Sequence, residues 1–84
     1  MKTVTIYSTP VCPYCMRAKQ LLSSLGIAYT DIDVAADAVI REEVTKKYNW
    51  QTVPMIVIGD EFIGGYDDLA TLHAEGKLME KLAD

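Results

Sequence analysis

Cys12 and Cys15, separated by Pro13 and Tyr14, are the residues whose types and spacing point most directly to chemistry, and they are the only thiols in the chain. A secreted domain held together by disulfides carries about four to eight cysteines spread along its length, and one bond across Cys12–Cys15 would staple almost nothing. A closed structural zinc site takes about four ligands. Here there are two thiols and a single histidine, His73, so no metal is expected. A histidine standing alone is ordinarily a surface residue. What remains, for a reducing compartment, is a reversible redox pair.

Such a pair needs a helix start to position it. Lys2 to Tyr7 reads KTVTIY, β-branched and alternating, as a strand; Ser8 to Val11 turns the chain. Pro13 suits the first turn of a helix, where no intrahelical N–H is required. Ala18, Leu21, Leu22 and Leu25 then give the spacing of one apolar helix face, stopped by Gly26. On that helix Cys12 stands at the positive end of the dipole, beside unpaired N–H groups that favour a thiolate. Cys15 lies one turn inside, its Cα about 5 Å away, within reach of a disulfide. The pattern therefore predicts Cys12 as the exposed nucleophile and Cys15 as the more buried resolving thiol.

The remaining elements follow from pattern. Ile27 to Asp33 reads as a second strand, and Asp37 caps a second helix carrying Ile40, Val44 and Tyr48, with Glu42 and Glu43 early and Lys46 and Lys47 late. Thr52, Val53 and Pro54 precede the apolar run from Met55, the best central strand; Gly59 to Glu61 turn it into a return strand at Phe62 and Ile63. Gly64 and Gly65 lead into a third helix at about Asp67 with Leu69 and Leu72 inward, Gly76 breaks it, and Leu78 and Leu82 mark a last short helix. Strands alternating with helices, closed by a hairpin, imply an α/β domain over residues 1–84: a mixed sheet covered by helices, with a right-handed first crossover.

Composition removes several function classes. Eight Lys plus Arg against twelve Asp plus Glu leave a net charge of −4 on 84 residues, unsuited to nucleic acid or an anionic membrane surface. The longest apolar run, Met55 to Gly59, is strand-sized, and MKTVTIYSTP does not read as a secretory signal, so a cytoplasmic location is expected. Half the residues are hydrophobic and a quarter charged, a globular composition. Gly59 to Gly64 begins like a phosphate loop, but Gly65 and Tyr66 stand where Lys and Ser/Thr are required, which rejects nucleotide binding. Asp67 and Asp68 read equally as helix-start carboxylates and as acceptors for a ligand ammonium. Pro54 alone reads as an ordinary trans proline, since only about 5–6% of such bonds are cis. Trp50 and Phe62 read as packing residues, and the methionines as gap fillers.

Taken together, CPYC at Cys12–Cys15, TVP at Thr52–Pro54 and GGYDDL at Gly64–Leu69 resemble the glutaredoxin family over essentially the whole chain. The resemblance implies a thioredoxin-like fold, a four-stranded mixed sheet flanked by helices, and thiol–disulfide exchange with glutathione as co-substrate. It implies that Cys12 attacks a protein–glutathione mixed disulfide and that a second glutathione, or Cys15 for a protein disulfide, releases the product. It makes Pro54 a cis proline, sets Tyr14, Thr52, Val53 and Gly65 along the glutathione groove, and assigns the γ-glutamyl end to Asp67 and Asp68. Val53 would pair its backbone with the cysteinyl part as a short added strand. The partners implied are disulfide-bearing or glutathionylated proteins, with ribonucleotide reductase among the targets such proteins serve, acting as a monomer.

This sequence departs from the family at Thr9, where many members carry lysine, and at Gln51, often basic. The first departure implies a less acidic Cys12 than in lysine-bearing relatives; Arg17 and Arg41 are the candidate substitutes for the contact to the glycine carboxylate. Two other readings compete. A glutaredoxin-like redoxin reduced by thioredoxin reductase is opposed by the paired aspartates of GGYDDL, and a dimeric iron–sulfur cluster carrier by Pro13 and Cys15.

Overall fold

Val4, Ile6 and Ser8 are buried while Thr5 and Tyr7 between them are half-buried, the period-two pattern of a strand whose faces meet different layers. The computed structural model describes residues 1–84 and forms this strand as β1 (Val4–Ser8). It continues through α1 (Pro13–Ser24), β2 (Thr30–Asp33), α2 (Ala38–Tyr48), β3 (Met55–Ile58), β4 (Glu61–Gly64), α3 (Tyr66–Ala74) and α4 (Leu78–Leu82). The sheet order is β2-β1-β3-β4, with β1 and β2 parallel and the other two pairs antiparallel. This is the four-stranded mixed sheet flanked by helices that the element order predicts.

One face of the sheet is sealed by three helices. Ala18 and Leu22 of α1, Leu69 of α3, and Leu78 and Leu82 of α4 close over Val4 and Ile6 of β1 and Ile56 and Ile58 of β3. The opposite face meets α2, whose Tyr48 stacks on Phe62 of β4 at 4.6 Å between ring centres. With both faces covered, all four residues of β3 are buried, which is why that segment is a continuous apolar run and does not alternate.

Register brings the site together. Tyr7 pairs with Met55, so the turn that follows β1 lies beside the turn that precedes β3. Ile56 pairs with Gly64, so the start of α3 reaches the same end of the sheet. Three segments far apart in sequence thus meet at one edge.

Several boundaries differ from expectation for local reasons. Ile27 is not in a strand: Gly26 takes a left-handed φ of +71° and the Ile27 N–H donates to Leu22 O at 2.9 Å, so Ile27 terminates α1 and drops into the core against Leu22. The second strand consequently begins at Thr30. Ser8, expected in the turn, is the last residue of β1 and pairs with Asp33, while Lys2 and Thr3 lie outside the strand. Asp37 caps α2 as expected, accepting from the Ile40 N–H at 3.1 Å, but the first turn holds no acidic residue. Glu42 and Glu43 sit one turn later, so only Lys46 and Lys47 complement the helix dipole. Ile40 and Tyr48 are half-buried beside the buried Val44, and Leu25 is an exposed cap residue. The third helix starts at Tyr66, one residue earlier than expected.

Candidate functional site

Cys12 is the N-cap of α1. Its backbone is extended (φ −102°, ψ 110°), Pro13 occupies the first helical position, and the Cys15 N–H donates to Cys12 Sγ at 3.1 Å. Sulfur here takes the place that a serine or aspartate oxygen fills in an ordinary cap. No acidic residue lies in the first turn to offset the positive end of the helix. Cys15 projects inward from the next turn and is fully buried. The order of exposure matches expectation, but Cys12 is only 9% exposed, far from an open nucleophile. The Val53–Pro54 turn lies against it, with the Cys12 thiol donating to Val53 O at 3.6 Å.

Burial pushes the Cys15 thiol up to about 12, aided by its hydrogen bond to Cys12, while the Thr9 backbone and the Lys19 ammonium act in the opposite direction. Both thiols are free, and at neutral pH Cys15 holds its proton.

Beside the cysteines runs a groove of about 530 Å³, lined by Tyr14, Trp50, Thr52, Val53, Pro54, Gly65, Tyr66, Asp67 and Asp68. That volume is in the range that holds a small ligand. All seven residues expected beside the cysteine pair therefore share one concave surface, and the Val53–Pro54 bond is cis. Tyr14 of α1 and Tyr66 of α3 face each other across it at 6.3 Å between ring centres.

The two aspartates have different surroundings. Asp68 Oδ2 accepts the Gly65 N–H at 3.0 Å, tying the carboxylate to the start of its own helix. This close return depends on Gly64, whose φ of +122° and bare Cα leave room; an added Cβ would land on the Asp68 carboxylate. Asp67 is exposed and makes no side-chain hydrogen bond within the chain. The first intrahelical bond of α3 runs from Leu69 N to Gly65 O, so the N–H groups of Tyr66, Asp67 and Asp68 are left to the groove. One end of the groove thus offers both a carboxylate for a cation and helix N–H groups for an anion.

Two lining residues escaped the sequence reading. Trp50, assigned there to packing, is placed by the end of α2: Asn49 takes the left-handed conformation (φ 50°) and the Trp50 N–H returns to Thr45 O at 3.2 Å. Its ring packs edge-on against Phe62 and its Nε1 is buried without a partner. Tyr66 had a usable signal, being the residue between Gly65 and Asp67. Arg17 stacks over the Tyr14 ring at 5.2 Å but does not line the groove, and neither do Arg41 or Gln51. His73 closes the last turn of α3, and no three His, Cys, Asp or Glu side chains converge.

Comparison with known proteins bears on this arrangement. A family profile described as Glutaredoxin matches residues 4–63. A protein named Glutaredoxin 3 from Escherichia coli (strain K12) is 46% identical over 78 residues, covering 93% of this chain and 94% of that protein. A glutaredoxin of Pseudomonas aeruginosa is 45% identical with 93% of each covered. Among solved structures, the buckwheat glutaredoxin–glutathione complex superposes with a TM-score of 0.90 at 31% identity, over 96% of this chain and 76% of that one. The solution structure of glutaredoxin from Brucella melitensis gives 0.87 at 44% identity, over 98% and 89%.

Proposed function

The chain belongs to the glutaredoxin family and has its thioredoxin-like fold, and from that premise we propose how its residues divide the work. The protein is a glutathione-dependent thiol–disulfide oxidoreductase with glutathione as co-substrate. These relatives favour neither a redoxin served by thioredoxin reductase nor a cluster carrier.

In our reading Cys12 attacks the glutathione sulfur of a protein mixed disulfide. The Cys12–glutathione bond forms, the protein sulfur leaves with the bonding electrons and takes up a proton. A second glutathione thiolate then attacks the bound glutathione sulfur, releasing glutathione disulfide and Cys12 as a thiolate. That departing charge faces the Cys15 N–H and the start of α1. When the target is a protein disulfide, Cys15 closes the ring with Cys12 instead. The glutathione would lie along Tyr14, Thr52, Val53, Pro54 and Gly65. Val53 would pair its backbone with the cysteinyl unit, and Asp67, Asp68 and the α3 N-terminus would hold the ammonium and carboxylate of the γ-glutamyl end.

The observation carrying this reading is the single groove joining the turn beside Cys12 to the carboxylates of α3. No helix is long and apolar enough to cross a membrane. We read the chain as one domain and a cytoplasmic monomer that carries electrons to disulfide-bearing or glutathionylated proteins, ribonucleotide reductase among them.

The test is turnover of a glutathione mixed disulfide coupled to glutathione reductase, with thioredoxin reductase in a parallel assay. Activity should vanish in Cys12→Ser and persist in Cys15→Ser. Activity through thioredoxin reductase alone would overturn the assignment.

A further inference from the structure

One polar cluster inside the α1–sheet layer has no part in the chemistry above. Ser8 is only 2% exposed, the one buried polar side chain of the molecule apart from the thiols. Its hydroxyl donates to Asp31 Oδ1, and the Lys19 ammonium donates to Asp31 Oδ2 at 2.6 Å. Lys19 and Asp31 are 25% and 38% exposed at their side chains, so this pair lies at the rim where α1 meets β2, with the buried Ser8 behind it.

The placement follows from the strand register and the helix repeat. Asp31 pairs with Ile6 across parallel strands and shares the face that packs against Ala18 and Leu22. Lys19 is four residues beyond Cys15 on α1, one turn along the same face. Ser8 is followed directly by Thr9, whose backbone faces the Cys15 sulfur. The cluster therefore adjoins the buried thiol at the inner end of the site.

We propose that Lys19, anchored by Asp31 and Ser8, is a positioning residue for the resolving step: its ammonium supports the negative charge that Cys15 must acquire to attack the Cys12 mixed disulfide. The proposal rests on Cys15 being the resolving thiol. In that step the Cys15 thiol gives up its proton, matched by the one the departing target sulfur takes up, and the Cys12–Cys15 bond forms. The bond from Cys12 to the target sulfur breaks, and the target leaves with the electron pair and takes up a proton. No outside oxidant or reductant enters.

The groups facing the two partners can be named in full. Cys15 meets Cys12 and Lys19 from α1 and the Thr9 backbone from the turn after β1. Lys19 meets Asp31 from β2, Tyr29 just before it, and Cys15. Lys19 is thus the one cation opposing the burial of the Cys15 thiol. Once Cys12 is in a mixed disulfide its own charge is gone, and Lys19 is the charged group left beside Cys15. Exposed lysines elsewhere, such as Lys46 paired with Glu42, have no such neighbour.

The size of the effect is bounded by two opposing tendencies. Losing the ammonium while Asp31 remains should raise the Cys15 titration and lower its thiolate fraction at neutral pH. Each remaining thiolate is a better nucleophile, so ring closure should slow by less than the thiolate fraction falls.

The experiment traps Cys12 of the full chain as a mixed disulfide with thionitrobenzoate, whose release is coloured, and follows single-turnover ring closure against pH. Wild type, Lys19→Met, Lys19→Arg and Cys15→Ser are compared, with Lys19→Gln replacing Lys19→Met should the latter not fold. The expected result is a profile shifted to higher pH in Lys19→Met, with slower release than wild type at the same pH, and a near-wild-type profile in Lys19→Arg. An unshifted profile in Lys19→Met, with release still dependent on Cys15, overturns the proposal and leaves Lys19 as a clamp between α1 and β2. Release that persists in Cys15→Ser instead overturns the assignment of the resolving thiol.

Discussion

Raising the pH should destabilise the reduced protein, because the Cys15 thiol is fully buried. In the folded protein the Cys15 thiol is moved from its usual 9.0 up to about 12, first by burial and then by its hydrogen bond to Cys12. In the unfolded chain it ionises near 9.0. Above that value the unfolded state releases a proton that the folded state keeps, so stability falls as pH rises and the loss is complete only near 12. Three units correspond to about 4 kcal/mol over the whole window, and about 2 kcal/mol of it is expected between pH 9 and 11. That is a large share of the stability of a chain this small. Urea unfolding of the reduced protein at these two pH values measures it, with Cys15→Ala as reference so that the tyrosines and lysines cancel in the difference. Thiolate absorbance of the folded protein supplies the second reading: the Cys15 thiolate should form only in strongly alkaline solution. Because burial is the larger cause, Cys15 in Cys12→Ser should still titrate above 9.0. A Cys15 thiolate formed by about pH 9.5, or parallel losses of stability in wild type and Cys15→Ala, would refute the reasoning.

Asp67→Asn should raise KM for a glutathione mixed disulfide by about tenfold or more with little change in kcat, the effect of removing one charge-assisted hydrogen bond made in the ground state, read by steady-state kinetics. Gly64→Ala should lower stability by at least about 1 kcal/mol in urea unfolding, since φ is +122° and the new Cβ meets the Asp68 carboxylate. Burial disfavours the Asp31 charge, but the hydrogen bonds from Lys19 and Ser8 outweigh it and hold its carboxyl below 3.8. Its stabilisation should therefore be present above that value and fade as pH falls below it, a loss absent from Asp31→Asn in acid titration of the unfolding midpoint. Leu22→Ala should cost about 2–5 kcal/mol by the same assay, because Leu22 is fully buried and seats Ile27. Trp50, the single tryptophan, should change its fluorescence when Cys12 is glutathionylated, and a titration showing no change would place it outside the occupied groove.

Sequence alone determined what is written locally. The cysteine pair and Pro13 set the start of α1, the Asp37 cap and the spacing of Ala18 and Leu22 follow from helix geometry, and Met55 to Ile58 announce a strand covered on both faces. Each of these depends on neighbours within a turn or two of the chain, so residue type and spacing suffice. The motifs at Thr52–Pro54 and Gly64–Leu69 were also visible, but their meeting was not. It arises from the pairing of Tyr7 with Met55, which joins residues about fifty positions apart, and of Ile56 with Gly64, which carries the start of α3 to the same end of the sheet. The same pairing laid Val53 against Cys12 and covered a sulfur expected to be open. Trp50 was legible only as an aromatic, since the Asn49 turn decides that it faces the groove. Lys19, Asp31 and Ser8 each look like ordinary surface residues in one dimension; parallel pairing of β1 with β2 joins all three in one cluster against α1. Long-range contacts are set by register and layer packing, and those are properties of the folded chain as a whole.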